Sequence, residues 1–552
     1  MIDITKKNLV YFLILLFNLT SLFAQQTNNL QIIWQKTSSE SVFTFGRSIS
    51  AGDVNGDGYS DIIIIGDSVI DLYAIDSSYR GKCWIFFGGQ NFDTVPDVQL
   101  LNTQRSIFES LHSADINGDG FDDVIIGGTH NAGGYGQALI YLGGNPMDSI
   151  LDYKVTGPHG GSQFGLAVSS GDVNDDGYKD LIVGAYGAHV PPVGYLAGKV
   201  YIYFGGPSFD TIPDVILNGG HCNDQEGFGS DIGQSADVNG DGYDDIIIGA
   251  RTFGANNGRL YIYYGGNPID SIADVAMIGE GPNHLLGWNA ISSLRNANNV
   301  DYAMIGTSFW PDGFGGNINY GKIYILHGGN TMDSIPDVCV FGRTSTSRLA
   351  SSLSRAGDLN GDYCDDLIAG APIEYNERGT AYIWLGGPLL DTIPDAWISG
   401  IQYNDEIGWN VASAGDINGD GRDEIMVTKW VELGLYGKVL VCKYTGQGIE
   451  EERLTPYAKR AMLEVYPNPV KMNMTIHYSL TANSKVSLKI YDVTGKAVKV
   501  LSARCSAGKH DLRWDLKDNN QKKIANGIYF VRLVAEQRNE KISEITKITI
   551  MK

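Results

Sequence analysis

The stretch Asp53-Val54-Asn55-Gly56-Asp57-Gly58-Tyr59-Ser60-Asp61, followed at once by Ile62-Ile63-Ile64-Ile65-Gly66, decides the fold of this chain. It is a polar loop, interrupted by glycines, that leads directly into a strand with no polar position. A strand that is apolar along its whole length is typical of burial on both faces of a sheet. The stretch therefore predicts a hairpin whose sheet lies between two neighbouring sheets.

The same pattern recurs along the chain. Loops start at Asp53, Asp115, Asp172, Asp237, Leu294, Asp358 and Asp416, with spacings of 62, 57, 65, 57, 64 and 58 residues. Around each loop we predict four antiparallel strands, the last of which follows a turn such as Pro213-Asp214. Repeated sheets, each buried between two others, predict an all-β, seven-bladed β-propeller, an arrangement that also limits exposed sheet edges.

The ring needs a strand from the start of the chain to close it. The seventh repeat has three clear strands, ending in Val439-Leu440-Val441-Cys442, and the spare strand Leu30-Gln31-Ile32-Ile33-Trp34 precedes the first repeat. We therefore predict that residues 30–34 complete the seventh blade.

Composition divides the rest of the chain. Residues 1–24 have the features of a signal peptide, with Lys6 and Lys7 before an apolar run that is too short for a confident membrane span. Residues 25–445 form the predicted propeller, 446–462 a linker, and 463–552 a small C-terminal β-sandwich with alternating apolar strands. No later segment predicts a membrane span, so the mature chain is expected to have none.

Charge differs between these parts. The net charge of −22 separates into −31 over residues 1–459 and +9 over residues 460–552. An acidic body argues against nucleic acid as a partner and suits divalent cations. The six cysteines show no C-x-x-C spacing, so we interpret them as mostly free, with disulfides possible but not required.

The loops carry the oxygen ligands that calcium prefers. Positions 1, 3, 5 and 9 offer side-chain oxygens, position 7 offers its backbone carbonyl, and glycine at position 6 allows the turn. The predicted ligands are Asp53, Asn55, Asp57, Tyr59, Asp61, Asp115, Asn117, Asp119, Phe121, Asp123, Asp172, Asn174, Asp176, Tyr178, Asp180, Asp237, Asn239, Asp241, Tyr243, Asp245, Asp358, Asn360, Asp362, Cys364, Asp366, Asp416, Asn418, Asp420, Arg422 and Glu424.

Not all loops follow this pattern equally well. The sixth has Tyr363 where glycine is expected, and a bulky residue there strains the turn. The fifth loop, from Leu294 to Tyr302, has lost the ligand carboxylates. We therefore expect about five or six calcium ions per chain.

Two other interpretations of the loops were considered. An EF-hand or dockerin loop needs an acidic residue at position 12, which here is Ile64, Ile126 or Ile248 inside a strand, and that interpretation is rejected. An Asx-rich turn without metal explains a single copy. Repetition of the same carboxylates in register favours a cation, because unneutralised carboxylates in one turn repel each other.

Motifs around the loops resemble a known family. Phe45-Gly46, Phe164-Gly165 and Phe228-Gly229 precede loops, while Gly184-Ala185, Gly249-Ala250 and Gly370-Ala371-Pro372 follow them. Over residues 30–445 the chain resembles the FG-GAP propeller of integrin α chains. The resemblance implies calcium on one face of the ring and partner binding on the other.

The C-terminal part resembles the type A sorting domain of type IX secretion substrates. The likeness rests on Tyr466-Pro467-Asn468-Pro469, Ile490-Tyr491-Asp492-Val493-Thr494-Gly495-Lys496 and Gly527-Ile528-Tyr529. It implies recognition by outer-membrane secretion machinery, passage through the periplasm and across the outer membrane, and release or attachment at the cell surface.

Function is expected on the face opposite the calcium loops. Its loops carry aromatic residues and histidines, which are typical of recognition surfaces: Tyr135, Tyr195, Phe253, Trp288, Trp310, Tyr375, Trp409, Trp430, His130, His159, His189, His221 and His284. We favour a non-catalytic adhesion or recognition module for an extracellular protein or glycan. The alternative is a polysaccharide lyase or hydrolase built on the propeller, although no catalytic motif is found.

Overall fold

The structure is a computed structural model of the chain. It describes residues 26–38, 44–69, 79–101, 107–129, 134–191, 196–220, 226–288, 291–295, 301–307, 320–329, 332–344, 346–387, 390, 392–429, 437–446, 463–466, 470, 474–480, 484–492, 496–506, 508–519, 522–536 and 541–550. The predicted signal peptide and nearly all of the predicted linker lie outside these residues. The chain divides into two compact units, Met1–Gln447 and Gly448–Lys552.

The first unit is all-β, with two short helical turns. Its strands are β1 (Gln26–Asn28), β2 (Leu30–Thr37), β3 (Ser48–Gly52), β4 (Asp61–Val69), β5 (Tyr79–Phe86), β6 (Val98–Leu101), β7 (Ser110–Ala114), β8 (Asp123–Gly128), β9 (Gln137–Tyr141), β10 (Tyr153–Thr156), β11 (Phe164–Gly171), β12 (Asp180–Ala185), β13 (Lys199–Tyr203), β14 (Val215–Asn218), β15 (Phe228–Ile232), β16 (Ile246–Ala250), β17 (Arg259–Tyr263), β18 (Val275–Ile278), β19 (Ile291–Leu294), β20 (Tyr302–Thr307), β21 (Lys322–Leu326), β22 (Val338–Phe341), β23 (Ser352–Gly357), β24 (Asp366–Ala371), β25 (Thr380–Trp384), β26 (Ala396–Ser399), β27 (Val411–Gly415), β28 (Glu424–Lys429) and β29 (Lys438–Tyr444). The helical turns are α1 (Phe253–Asn256) and α2 (Glu374–Glu377).

These strands form repeated antiparallel sheets, which we number in chain order. Sheet one is β3-β4-β5-β6, and each later group of four consecutive strands forms the next sheet up to β23-β24-β25-β26 in sheet six. Sheet seven contains β27, β28 and β29 and takes β2 as its fourth strand. Repeated four-stranded sheets agree with the propeller architecture that the sequence predicts.

Apolar cores lie between neighbouring sheets rather than within one. Along β4, Ile62 and Ile64 pack into a cluster with sheet seven, whereas Ile63 and Ile65 pack into a cluster with sheet two. Because successive side chains of a strand point to opposite faces, the unbroken isoleucine run fills both interfaces. Similar clusters join the other neighbouring sheets, including sheets six and seven.

The first strands of the sheets contact one another in order. Each of β3, β7, β11, β15, β19 and β23 contacts the first strand of the next sheet, and β27 of sheet seven contacts β3 of sheet one. The contacts between first strands therefore return to their starting point.

The N-terminal strand lies where the sequence predicts it. β2 pairs antiparallel with β29, from Leu30 opposite Tyr444 to Thr37 opposite Lys438, and so completes sheet seven. The sequence did not indicate β1, which adds a fifth strand to sheet six with Gln26 opposite Ser399. The start of the described chain thus binds the outer strands of two neighbouring sheets.

The second unit contains two sheets that share one core. Its strands are β30 (Leu463–Tyr466), β31 (Met474–Leu480), β32 (Ser484–Asp492), β33 (Ala497–Cys505), β34 (Gly508–Trp514), β35 (Gly527–Glu536) and β36 (Lys541–Ile550), ordered β30-β31-β34 and β33-β32-β35-β36. Ile476 and Trp514 of the smaller sheet pack in the same cluster as Leu488 and Val531 of the larger one.

Candidate metal centre

Each predicted calcium loop joins the first and second strands of its sheet. In sheet one, Gly52 at the end of β3 pairs with Asp61 at the start of β4, so positions 1 to 8 of the loop lie between the paired residues. The same register separates Ala114 from Asp123 and Gly171 from Asp180. The hairpins therefore present equivalent positions in equivalent places.

The carboxylate at position 1 organises the loop. Asp53 Oδ1 accepts hydrogen bonds from the amides of Gly56 and Asp57, at 2.7 and 3.1 Å, and Oδ2 accepts one from Gly58 at 2.8 Å. Asn55 Oδ1 accepts from the Asp57 amide at 2.9 Å, and Asp57 Oδ1 accepts from the Tyr59 amide at 3.0 Å. Side chains at positions 1, 3 and 5 are thus held within one tight turn.

The other carboxylate-bearing loops repeat this pattern at position 1. The amide at position 6 donates to the carboxylate of Asp115, Asp172, Asp237, Asp358 and Asp416, at 2.8 to 3.0 Å. The structure therefore gives six predicted sites the same turn around their first residue.

Position 6 requires the left-handed conformation, as the sequence predicts. Gly58 has φ +88°, a value that glycine adopts without cost. In the sixth loop Tyr363 adopts φ +66°, donates its amide to Asp358 Oδ2 at 2.8 Å, and leaves its side chain 90% exposed. Because the tyrosine ring points into solvent, the substitution strains the backbone without changing the hydrogen bonds of the turn.

The carboxylate at position 9 lies beneath the turn and is fully buried. Asp61 accepts hydrogen bonds from the amide of Val54 at position 2, at 2.9 Å, and from the amide of Gly88 after β5, at 2.8 Å. Asp123, Asp180, Asp245 and Asp366 make the same pair of bonds. This residue ties the loop to the third strand of its sheet.

Burial changes the acidity of the position 9 carboxylates. Burial, with repulsion from Asp57 and Asp53, raises the pKa of Asp61 to about 7. The pKa values of Asp123 and Asp180 also rise to about 7, and those of Asp245 and Asp366 to about 8, for the same main reason. A nearby cation would favour the ionised form of these groups.

The residues fit a hard cation by their chemistry. Within each loop the donors are carboxylate, amide and carbonyl oxygens, which suit calcium better than zinc or copper. Among the described residues, however, no three His, Cys, Asp or Glu side chains gather into a cluster able to hold a metal ion. The loops close on their own hydrogen bonds instead, as when Asn55 Nδ2 donates to Asp57 Oδ2 at 3.1 Å.

The fifth loop differs in length as well as in composition. Leu294, taken from the spacing as the first loop residue, ends β19 and pairs with Tyr302, which shortens this loop by one residue. Arg295 then takes the place of the first loop residue, because its amide donates to Asp365 of the next sheet at 3.0 Å. A cation in that place is unsuitable as a calcium ligand.

The seventh loop differs from the other carboxylate-bearing loops in its glutamate at position 9 and in the position of Lys443, on β29, at its edge. Glu424 Oε1 accepts from Asn418 Nδ2 at 2.5 Å, and Lys443 Nζ lies 3.9 Å from Asp420 Oδ2. Burial, with repulsion from Asp420, raises the pKa of Glu424 to about 8, while Lys443 opposes the shift. This predicted site therefore already has a positive charge at its edge.

Position 8 has a role that sequence reasoning missed. Asp122, next to the predicted ligand Asp123, accepts the amide of Asp53 in sheet one at 2.9 Å and donates its own amide to the Asp53 carbonyl at 2.9 Å. Asp244 and Asp423 hold Asp172 and Asp358 in the same way. The aspartate that recurs directly after position 7 is the feature of the sequence that could have drawn attention to position 8.

The opposite ends of the sheets carry the predicted recognition residues. Trp288 and Phe253 pack against Arg251 and Arg259, with the guanidinium carbons 5.4 and 4.9 Å from the ring centres. Tyr135, Tyr375 and Trp409 are exposed, as is Tyr403, which sequence reasoning did not select. The remaining aromatic candidates Tyr195, Trp310 and Trp430 lie outside the described residues.

The histidine candidates that the structure describes form no metal-binding cluster. His159 Nε2 accepts the amide of His189 at 3.1 Å, and His284 is buried. His130 and His221 lie outside the described residues.

Comparison with known proteins defines the two parts of the chain. Residues 45–68, 108–141, 164–203 and 228–263 match the model of the FG-GAP repeat, and residues 464–550 match the secretion system C-terminal sorting domain. The chain contains FG-GAP repeats and ends in a sorting domain. Such a domain implies export through the type IX secretion system to the cell surface or beyond, and a link to the secretion machinery.

Relatives of the FG-GAP region include both integrins and an enzyme. Phosphatidylinositol-glycan-specific phospholipase D of Bos taurus is 28% identical over 372 residues, covering 58% of this chain and 42% of the relative. Integrin alpha-5 of Xenopus laevis is 33% identical over 174 residues, covering 29% of this chain and 16% of the relative. The chain spans less than half the length of these relatives.

A solved structure matches part of the chain. It is FlgD from P. aeruginosa, which is 17% identical, covers 16% of this chain and 74% of its own, and has a TM-score of 0.14. That score is too low to support an argument about the fold.

In the part of the chain that the structure describes, no helix has the length and apolar character that crossing a bilayer requires.

Proposed function

We propose that this protein is a calcium-stabilised recognition module, exported to the cell surface or beyond, which binds a glycan or protein through the face opposite its calcium loops. The proposal takes residues 25–445 as a seven-bladed propeller, 446–462 as a linker and 463–552 as a β-sandwich that directs export through the periplasm. Contact between β27 and β3, together with cores on both sides of β4, supports the closed ring.

Calcium is proposed as the structural cation of six loops. Support comes from the shared turn around position 1, the all-oxygen donor set, and the buried carboxylates at position 9. A bound divalent cation would offset repulsion among the carboxylates of each loop, and its binding free energy would add to the stability of the propeller.

The observation that carries the recognition proposal is a group of exposed aromatic side chains at sheets six and seven. Tyr375, Tyr403 and Trp409 are 49%, 66% and 37% exposed. Tyr375 lies in the connection between β24 and β25, and the other two lie between β26 and β27. Connections in an antiparallel sheet alternate between its two ends. The connections from β24 to β25 and from β26 to β27 therefore lie at the end opposite the calcium loop that joins β23 to β24.

The two loops that carry these aromatic residues are joined and strained. The Glu406 amide donates to the Glu377 carbonyl at 3.0 Å, and Ile407 donates to the Arg378 carbonyl at 3.0 Å. Five non-glycine residues have positive φ: Tyr375, Asn376, Glu377, Asn404 and Glu406. Each such residue costs on the order of 1–3 kcal/mol, and strain of this kind tends to cluster at ligand-binding sites.

A glycan array tests this proposal, with the secreted chain as probe and Tyr375→Ala/Tyr403→Ala/Trp409→Ala as the comparison. The control variant Phe341→Ala removes an exposed aromatic residue of β22, which is not among the predicted recognition residues. We expect one class of oligosaccharide to bind the wild type and the control but not the triple variant. Equal binding by all the proteins would contradict the site, and absence of glycan binding would move the proposal to protein ligands.

The enzyme alternative is tested on the same preparation. Release of unsaturated sugars from array-positive polysaccharides would show a lyase, and release of reducing ends would show a hydrolase. A glycosylphosphatidylinositol-anchored substrate is included because the Bos taurus relative is a phosphatidylinositol-glycan-specific phospholipase D. Product formation in any of these assays would overturn the non-catalytic function.

A further inference from the structure

The bonds between neighbouring loops are reciprocal and specific. In sheets one and two, Asp122 at position 8 contacts both backbone polar groups of Asp53 at position 1, accepting from its amide and donating to its carbonyl, each at 2.9 Å. We call this two-bond contact a clasp. Asp244 forms a clasp with Asp172, at 2.8 and 3.0 Å, and Asp423 forms one with Asp358, at 2.8 and 3.1 Å.

Glycine before position 1 makes room for two of these clasps. A Cβ atom on Gly52 would lie 2.6 Å from Asp122 Oδ2, and one on Gly357 would lie 2.0 Å from Asp423 Oδ2. Any larger residue would displace the clasp carboxylate. The close approach therefore depends on glycine in the first loop of these two pairs, those of sheets one and two and of sheets six and seven.

Loops one and three lack the carboxylate at position 8. Lys179 takes position 8 in sheet three, and its Nζ donates to Asp244 of sheet four at 2.8 Å instead of clasping sheet two. Ser60 takes position 8 in sheet one and contributes only a backbone bond to Asp416 of sheet seven, at 3.3 Å. At the fifth loop the contacts continue, since Asp365 of sheet six forms a clasp with Arg295, at 3.0 and 3.3 Å, and Asp301 donates its amide to the Asp237 carbonyl at 2.9 Å. This loop separates the pairs because it lacks the ligand carboxylates.

We propose that the six calcium loops work as three coupled pairs, in sheets one and two, three and four, and six and seven. The proposal rests on the proposed calcium function. Position 8 lies between the carbonyl ligand at position 7 and the carboxylate at position 9, so metal binding in its own loop fixes the clasp. The clasp then fixes the backbone of the first ligand in the preceding loop, which lowers the ordering cost of binding there.

Hydrogen exchange read by mass spectrometry resolves each loop of the full mature chain during titration with calcium. Asp115→Ala removes the first ligand of loop two without removing the clasp residue. We expect the calcium midpoint for protection of residues 56–59 to rise by about five-fold or more, because loop one loses its partner. The matched control is Asp172→Ala, which removes a ligand of loop three and should leave the midpoint of loop two unchanged across Lys179.

Two further variants test the clasp itself. In an Asp122→Ala background, Asp115→Ala should no longer shift the calcium midpoint of loop one, because the two loops are already uncoupled. Lys179→Asp should create a clasp between loops two and three. In that variant, Asp172→Ala should raise the calcium midpoint of loop two. The proposal is overturned if Asp115→Ala leaves the calcium midpoint of loop one unchanged. It is also overturned if Asp172→Ala shifts the midpoint of loop two as strongly in the presence of Lys179 as it does in the Lys179→Asp variant. Failure of every wild-type loop to gain protection with calcium would instead reject the proposed calcium function.

Discussion

At the scale of single residues, Lys443 sets the seventh loop apart. It follows Cys442, which pairs with Ile425 beside the predicted ligand Glu424. The corresponding residues in other sheets are apolar or aromatic, as with Phe87, Leu142 and Phe204. A lysine 3.9 Å from Asp420 supplies a permanent positive charge and so competes with a metal ion.

Replacement of this lysine is predicted to strengthen the seventh site. In Lys443→Met, calcium binding at loop seven should tighten by up to about five-fold, the range expected for removing a partly exposed ion pair. Isothermal titration of wild type and variant measures the change. Lys154→Met, which removes the same charge from β10, is the control, and an equal effect of both variants would point to net charge instead of the local contact.

His112 predicts a pH dependence of stability. Its Nε2 lies 2.9 Å from Ser170 Oγ, and burial, aided by Arg355 and Lys179, lowers its pKa from 6.5 to about 4. Between these values the folded protein binds fewer protons than the unfolded chain. The contribution of His112 is therefore fully present above pH 6.5 and is lost as the pH falls towards 4.

The variant His112→Gln removes the titrating group and keeps a polar side chain beside Ser170. Urea unfolding at pH 7 and pH 5 should show that wild type loses more stability on acidification than the variant does. Parallel losses in the two proteins would show that His112 does not contribute.

The residues of the repeated turn could be predicted from sequence, whereas their contacts could not. Spacing alone selected Asp53 and its equivalents, and the structure places them in one kind of turn. The clasp of Asp122 on Asp53 joins residues 69 apart in sequence, and no local pattern predicts such a pair. The tolerance of Tyr363 also depends on where its side chain points, which is a tertiary property.

At the scale of elements, β1 and β2 bind two sheets at once. Leu30 and Trp34 of β2 are each 5% exposed, and β1 continues the ladder of sheet six. Sequence predicted β2 because sheet seven lacked a strand, but β1 has three residues and no apolar pattern. The one-residue shortening of the fifth loop was likewise hidden, since repeat spacings vary by more than one residue.

Deletion of residues 25–36 should lower the stability of the first unit sharply. Loss of two buried apolar side chains and a strand is expected to cost about 5 kcal/mol of stability or more, which in a unit of this size corresponds to a fall in Tm of about 6 °C or more. Differential scanning calorimetry of the deletion measures the total loss of stability. The same measurement on Trp34→Ala gives the part of that loss that comes from the apolar core. Gln35→Ala, at an exposed position, is the control, and an unchanged Tm in the deletion would refute strand closure.

At the scale of the whole molecule, the two ends of the sheets have different proposed tasks. The calcium loops and clasps lie at one end and hold neighbouring sheets together. Exposed aromatic residues on strained loops lie at the other end, where a ligand is proposed to bind. The repeated acidic loop was visible in sequence, but the composition of the opposite end varies between repeats, so the sequence left its ligand open.

Isothermal titration of the full mature chain with calcium, after chelation, tests whether the repeated loops bind metal. We predict about five or six bound ions, with affinities on the order of 10⁻⁴–10⁻³ M for some loops, and a higher Tm when calcium is added. The control Asp53→Ala/Asp57→Ala should lose at least one ion. Fewer than about three ions in the wild type, or a Tm that calcium leaves unchanged, would contradict calcium binding by these loops.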